Sequence, residues 1–127
     1  MLNNFELTNL RLWRILFPMG ERIYFTYIVA SKPFGTLYTG VTNDIIARTY
    51  EHRSGAIPSF TQKYGVHRLV WFEQHGDISF AILREKRIQR WRRAWKIQLI
   101  EETNPHWIDY YPALIKAGWF ATRPSYG

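Results

Sequence analysis

Two tyrosines, Tyr27 and Tyr38, are the first side chains in the sequence whose placement suggests chemistry. They lie in two strand-forming segments, Ile23–Ala30 and Thr36–Val41. An antiparallel hairpin of these segments can bring both hydroxyls to one end of a sheet, and Gly40 leaves room for another group to approach the backbone. Phenols placed in this way can position a water molecule or exchange a proton with it. For either tyrosine alone, packing is the simpler explanation.

Arg48 and His52 form a second pair, four residues apart in a segment with helical character. Residues at this spacing share one helix face, so both side chains can point toward the same group. A guanidinium is permanently charged and can bind two phosphate oxygens, which suits it to the charge of a phosphoryl transition state. Without further context, a solvated basic helix face explains the pair as well.

Glu85 is the acidic residue with the most informative surroundings. It shares helical spacing with Ile78, Ile82 and Ile88, which predicts that it lies on the apolar stripe of a helix. A carboxylate on such a stripe is costly unless it is paired or holds a metal ion. Mg²⁺ takes one or two carboxylates together with water and substrate phosphates. An ion pair with an arginine at the edge of the core remains open as the alternative.

A basic segment, Arg84–Lys96, continues the same helical region and contains Trp91 and Trp95 one turn apart. Basic side chains along a helix can contact a phosphate backbone, whereas the two tryptophans are expected to anchor the core. Asn104, directly before Pro105, is expected to end the helix rather than to act in a site. The side chains predicted to bind nucleic acid are Arg48, Arg84, Lys86, Arg87, Arg90, Arg92, Arg93 and Lys96.

The elements that must position these residues follow the order β-β-α-β-α-α. This order predicts an α/β (α+β) fold in which helices flank a small, mainly antiparallel sheet of three strands. Residues 56–65 are predicted to form a loop, and Asn104-Pro105 is predicted to close the last long helical region. The predicted strands are Ile23–Ala30, Thr36–Val41 and His67–Gln74, and the predicted helical regions are Ile45–Arg53 and Ile78 to about Glu102.

Composition limits the possible functions. The chain has 127 residues, which suits one domain, and its net charge of +7 attracts polyanions such as nucleic acid or an acidic membrane. It has no cysteine, which excludes disulfides, thiolate zinc sites and a cysteine nucleophile, and which is consistent with a cytoplasmic protein. No apolar run approaches the roughly 20 residues of a membrane span. The predicted organisation is an N-terminal extension at 1–20, a domain at 21–112 and a C-terminal tail at 113–127.

Taken together, these motifs resemble the signature of the GIY-YIG nucleases. The first motif reads Phe25-Thr26-Tyr27 where the family has Gly-Ile-Tyr, and Val41 stands where some relatives carry a lysine. The later segments are similar to small stand-alone bacterial members related to the nuclease module of the bacterial excinuclease. The residues that carry the resemblance are Tyr27–Val29, Gly35–Asp44, Arg48, Glu51-His52, Ala81–Lys86, Trp91–Lys96 and Glu102–Pro105.

The resemblance implies a DNA endonuclease with a three-stranded antiparallel sheet and one divalent ion, Mg²⁺ or Mn²⁺. By position, Tyr27 and Tyr38 match the tyrosines of the two motifs, and Arg48 matches the phosphate-binding arginine. His52 stands where members have a histidine or tyrosine, Glu85 matches the metal-ligating glutamate, and Asn104 corresponds loosely to a late polar residue. The expected partner is duplex or branched DNA, in repair or processing. The expected chemistry is hydrolysis by water, with Tyr38 accepting a proton and Tyr27 positioning the nucleophile.

Two other functions remain open from the sequence. A nucleic-acid-binding module can keep the fold and the basic helix without cutting, because fold does not fix function. An adaptor protein can use the aromatic tail, Trp107–Trp119, to bind a partner. The DNA substrate and the oligomeric state are not determined by the sequence.

Overall fold

A computed structural model describes residues 23–55 and 60–117. Three strands, β1 (Tyr24–Ala30), β2 (Leu37–Thr42) and β3 (Arg68–His75), form one antiparallel sheet in the order β2-β1-β3. All three are rich in β-branched and aromatic residues, which favour a pleated and partly buried surface. The predicted three-stranded antiparallel sheet is therefore confirmed. The predicted N-terminal extension at 1–20 lies outside the described residues, as do positions 118–127 of the predicted tail.

Five helices accompany the sheet in the described residues. The first begins after Asp44, whose side chain accepts a hydrogen bond from the Ala47 amide, and ends at Gly55 in the left-handed conformation. Asp77 caps the third in the same way through the Ser79 amide. The helices are α1 (Ile45–Ser54), α2 (Phe60–Lys63), α3 (Ile78–Arg90), α4 (Arg93–Thr103) and α5 (Tyr111–Lys116).

Two predictions about the helices were wrong. Residues 56–65 were expected to form a loop, but they contain the short helix α2. The helical region from Ile78 is also not continuous, because Trp91 and Arg92 adopt extended backbone angles between α3 and α4. Neither residue is a proline or glycine, so local propensity does not signal the break. The Trp91 ring packs against the hydrophobic cluster that contains Ile88 and Ile100, and this tertiary contact outweighs helix propensity.

The sheet has a hydrophobic cluster on each face. Alternate residues of β1 point to opposite sides, so Tyr27 and Val29 belong to the first cluster and Ile28 and Ala30 to the second. Helices α1 and α5 cover the first face through Ile45, Ile46 and Leu114, whereas α3 and α4 cover the second through Ile88 and Ile100.

The described residues after α4, 104–117, are part of the packed domain. Trp107 is 1% exposed in the second cluster, and Leu114 is fully buried in the first. The Tyr110 amide donates to the Leu69 carbonyl at 2.8 Å, which fastens this segment to β3. Leu114 lies beyond the domain boundary expected at residue 112, and the aromatic stretch proposed as an adaptor surface begins with a buried tryptophan.

Candidate active site

Tyr27 places a phenol inside the first face of the sheet. It lies in the central strand and is 1% exposed, so packing on all sides fixes the ring. Its Oη is 2.9 Å from Nε2 of His52, which α1 presents from above the sheet. His52 is itself 7% exposed. The strand and the helix thus bring together two of the residues that the sequence had selected.

Thr61 completes this hydrogen-bond network. It was not predicted from the sequence to be a site residue. Its Oγ1 is 2.9 Å from Nδ1 of His52, and the residue is 2% exposed. The imidazole therefore bridges two hydroxyls, those of Tyr27 and Thr61, and both of its nitrogens are engaged. Thr61 belongs to α2, the short helix that was expected to be a loop, so no periodic pattern pointed to its burial.

Tyr38 lies beside this network on the edge strand β2. It is opposite Val29 in the register, which puts it on the same face as Tyr27. The ring centroids of the two tyrosines are 6.5 Å apart, and that of Tyr38 is 5.6 Å from the His52 ring. Tyr38 is half-buried, so it is the phenol of the pair that solvent can reach.

Gly40 is opposite Tyr27 in the register and gives its ring the space it occupies. A Cβ atom at this position would lie 2.5 Å from the Tyr27 Oη and 2.7 Å from its Cζ, closer than real contacts allow. Gly40 was predicted to let another group approach the backbone, and in the structure that group is the Tyr27 phenol.

Arg48 supplies positive charge at the edge of this cluster. It lies one turn before His52 on α1, and its Nε is 3.1 Å from Oε1 of Glu51. The Arg48 and Glu51 side chains are 39% and 40% exposed, so the guanidinium is accessible to a ligand. Its charge and its hydrogen bond to the Tyr27 hydroxyl both favour the ionised form of that phenol.

Burial dominates the ionisation of the two buried groups. Desolvation, and then the neighbouring Tyr38, raise the pKa of the Tyr27 phenol well above its ordinary value, and Arg48 offsets this only in part. Desolvation, and then the Arg48 charge, lower the pKa of His52 from 6.5 to about 4. At neutral pH the site therefore contains a neutral phenol hydrogen-bonded to a neutral imidazole.

Glu85 is placed differently from the other predicted site residues. It belongs to α3, which packs on the second face of the sheet, where Thr26 Oγ1 donates to the Ala81 carbonyl at 2.8 Å. The carboxylate is half-buried and accepts a hydrogen bond from the Gln89 amide one turn later. The structure thus groups Tyr27, Tyr38, Arg48 and His52 on one face and places the helix of Glu85 on the other.

The buried apolar residues that flank Glu85 on α3 differ from those predicted. Ile78 and Ile82 are 48% and 38% exposed, whereas Ala81 and Ile88 are fully buried. Glu85 follows Ala81 by four residues and precedes Ile88 by three, so it still lies on the side of α3 that faces the sheet.

The family of the chain follows from comparison with known proteins. The GIY-YIG catalytic domain family matches residues 23–98, which span β1 to the middle of α4. The chain belongs to the GIY-YIG family. The family as a whole implies nuclease-type activity on nucleic acid.

Three relatives of this GIY-YIG protein carry only the name UPF0213 protein. The one from Staphylococcus epidermidis is 34% identical over 79 residues, which are 62% of this chain and 95% of the relative. A Staphylococcus aureus protein is 35% identical over the same shares, and one from Aeromonas salmonicida is 33% identical over 93 residues, 73% of this chain and 65% of the relative. No solved structure matches the chain significantly.

The basic residues predicted to bind nucleic acid divide into two groups in this GIY-YIG domain. Arg84 pairs with Glu73 at 3.0 Å, and Arg93 donates to the Phe34 and Gly35 carbonyls at 2.6 Å, so both have structural contacts. The exposed members of the set are Lys86, Arg87, Arg90, Arg92 and also Arg93, while Arg84 and Lys96 are half-buried.

Two further sequence predictions have clear structural outcomes. Asn104 is 2% exposed and caps α4, donating to the Val70 and Ile108 carbonyls and accepting from the Ile108 amide, so it has a structural role. Trp95 is 46% exposed and is not the core anchor that was expected, whereas Trp91 packs against the second cluster. Across residues 23–55 and 60–117, no helix has the length and hydropathy needed to cross a membrane.

Proposed function

We propose that this protein is a metal-dependent DNA endonuclease that hydrolyses phosphodiester bonds by attack of water, in DNA repair or processing in the cytoplasm. The observation that carries the proposal is the buried Tyr27–His52–Thr61 network beside the accessible Tyr38 and Arg48. A network of polar groups inside a core lowers stability unless every member is paired. Here the network lies next to Tyr38 and Arg48, whose side chains are suited to a phosphate.

Tyr27 and Tyr38 have different roles in this mechanism. Because burial keeps Tyr27 neutral, it acts as a fixed phenol that orients the attacking water. Tyr38, which solvent reaches, accepts the proton from that water.

Arg48 and His52 control the charge in the site. Arg48 exchanges Glu51 for a phosphate and stabilises the charge that develops on it. If the Tyr27 hydroxyl donates to Nε2 of the neutral imidazole, Nδ1 carries the proton that is directed to Thr61. The Tyr27 oxygen can then accept a water hydrogen.

Glu85 is the residue that would hold the divalent ion. Within the residues that the structure describes, no three His, Cys, Asp or Glu side chains are arranged as a metal site. A hydrated Mg²⁺ bound through one carboxylate and the substrate phosphate does not need such a group, and Glu85 is a half-exposed carboxylate of this kind. When bound, the ion would stabilise negative charge on the leaving oxygen.

If Glu85 holds the ion, its position limits where the substrate would lie. β2 is an edge strand, with Tyr38 on its first face and α3 packed against its second. A phosphate that contacts both the tyrosine cluster and an ion on Glu85 would lie along this edge. The proposal therefore places the scissile bond beside β2.

The test is a cleavage assay with linear, nicked, flapped and branched DNA in Mg²⁺ and in Mn²⁺. Tyr38→Phe and Arg48→Ala are each expected to lower kcat by about 10²- to 10³-fold. Tyr50→Phe is the matched control, because Tyr50 is a 58% exposed tyrosine on α1 and should leave the rate unchanged. Equal rates for wild-type protein and Tyr38→Phe from pH 6 to pH 10 would exclude Tyr38 as the base.

A second candidate is a module that binds nucleic acid without cutting it. The observation in its favour is that the helix of Glu85 packs on the opposite face of the sheet from the tyrosine cluster. The same assay separates the two candidates. Salt-sensitive DNA binding that persists in Glu85→Ala, with no cleavage by either protein, would establish the binding module.

A further inference from the structure

A cavity of about 350 Å³ lies on the second face of the sheet, away from the tyrosine cluster. Arg84 lines it from the middle of α3, and Trp91 lines it from the break that follows this helix. The remaining lining comes from one side of α4, because its members are spaced as i, i+3, i+4 and i+7. They are Trp95, Gln98, Leu99 and Glu102.

This side of α4 is poorly covered by the rest of the protein. Trp95 is 46% exposed, and Gln98 and Glu102 are exposed as well, while Leu99 is half-buried. The Trp95 and Trp91 rings are nearly perpendicular, at 81° and a centroid distance of 6.2 Å, and the Arg92 guanidinium lies over the Trp95 ring at 4.8 Å. An aromatic face held in place and bordered by arginines is suited to a flat ligand that carries negative charge.

We propose that this cavity binds an unpaired guanine base in a single strand of DNA. A nucleobase stacks on an indole face with little dependence on sequence, and the strand's phosphates complement Arg92 and the exposed basic side chains of α3. The cavity volume lies in the range that small ligands occupy. A base that is already unpaired avoids the cost of extrusion from a duplex.

Gln98 and Glu102 account for the choice of guanine. Its Watson–Crick edge presents two adjacent N–H donors, N1 and N2, followed by the O6 acceptor. The two oxygens of Glu102 can accept from both donors, and the Gln98 amide, one turn earlier on the same side of α4, can donate to O6. Adenine and cytosine place an acceptor nitrogen beside their amino group, which would face the carboxylate unfavourably.

The cavity requires no cleavage chemistry, but the choice of DNA as the partner rests on the proposed function. The experiment measures fluorescence anisotropy of a short labelled thymidine oligonucleotide, with or without one central dG, in EDTA. Wild-type protein is expected to bind the dG-containing strand about tenfold more tightly than the all-thymidine strand. It should also bind that strand more tightly than the same sequence in a duplex.

Three variants test the contacts separately. Trp95→Ala should weaken binding of both single strands about tenfold, whereas Glu102→Gln should remove the preference for dG and keep the stacking contribution. Phe80→Ala is the matched control, because Phe80 is a 63% exposed aromatic of α3 outside the cavity. Urea denaturation midpoints establish that each variant is folded.

Two results would overturn the inference. One is wild-type affinity of Trp95→Ala for the single strands, and the other is equal affinity of wild-type protein for dG-containing and all-thymidine strands. Cleavage is measured separately with Mg²⁺. If the protein binds guanine but does not cleave DNA, the result counts against the proposed function alone. If the protein cleaves DNA but does not prefer guanine, the result counts against this inference alone.

Discussion

Tyr27 is packed as closely as an aliphatic core residue, yet its hydroxyl belongs to a polar network. Buried polar groups are tolerated when they are hydrogen-bonded, and His52 and Thr61 satisfy this condition. The consequence is a phenol and an imidazole that are both neutral at pH 7 and fixed in direction. Side chains held in this way can guide a proton without themselves becoming charged in the resting protein.

The first prediction concerns acid stability. The pKa of His52 is about 4 in the folded protein, below its ordinary value of 6.5, so the unfolded chain binds a proton that the folded protein excludes. The associated stability is complete above pH 6.5 and is lost as the pH falls toward 4, by up to about 1.4 kcal/mol per pH unit. Urea unfolding of wild-type protein and His52→Gln across this range measures the difference. Parallel curves for the two proteins would contradict the assignment.

The second prediction concerns Gly40. A Cβ in Gly40→Ala would collide with the Tyr27 phenol, so we expect a loss of about 1–3 kcal/mol in the free energy of unfolding and a marked loss of cleavage. Gly76→Ala is the control, because nothing lies within 4 Å of the added atom there. Thermal denaturation and the cleavage assay provide the measurements. Wild-type values for Gly40→Ala would show that the phenol is free to move.

Among the secondary-structure elements, the strands and α1 followed from the sequence because their patterns are local. The helix α1 has a capping aspartate and a terminal glycine, and β1 and β2 surround a turn with Pro33 and Gly35. The grouping of Tyr27, Tyr38, Arg48 and His52 was suggested by the hairpin, by helical spacing and by the family resemblance. These signals need no knowledge of distant contacts.

The features that the sequence did not reveal depend on tertiary contacts. The pairing of β1 with β3 shifts between Ile28 and Val29, and this bulge turns both Val70 and Trp71 toward the second cluster. Strict alternation along β3 would have put them on opposite faces. The break at Trp91 and Arg92 and the burial of Thr61 have the same kind of origin. In each case the contact joins different elements of the fold, so no local pattern reveals it.

The third prediction concerns the junction between β3 and the C-terminal segment. Asp109 accepts from the Leu69 and Tyr111 amides at 3.1 Å and pairs with Arg53 at 2.6 Å. Asp109→Ala leaves two amides and a guanidinium without this partner, so we expect it to lower the free energy of unfolding by about 2 kcal/mol. Asp109→Asn retains an acceptor oxygen and should lose less. Urea denaturation compares them, and equal losses for both would assign the effect to the charge.

In the protein as a whole, the exposed basic side chains and the tyrosine cluster lie on different faces of one sheet. Because Tyr38 lies on β2, DNA that engages both would pass along the β2 edge. The fourth prediction is that DNA binding weakens as the salt concentration rises. The magnitude of the slope of log K against the logarithm of salt concentration should fall by about 0.9 for each phosphate contact that is lost. The triple variant Lys86→Gln, Arg87→Gln, Arg90→Gln should reduce this slope, and Lys116→Gln on α5 is the control. An unchanged slope in the triple variant would place the DNA elsewhere.

The order β2-β1-β3 has a consequence for biosynthesis. The central strand is the first of the three to leave the ribosome, and its neighbour β2 follows after a short turn, so a nascent hairpin can form early. The other edge of β1 must wait for β3, whose register joins Ala30 to Arg68. During that interval a strand of buried residues has an open edge, and edges of this kind recruit other chains. Translation speed between residues 42 and 68 should therefore influence how much of the protein aggregates before it folds.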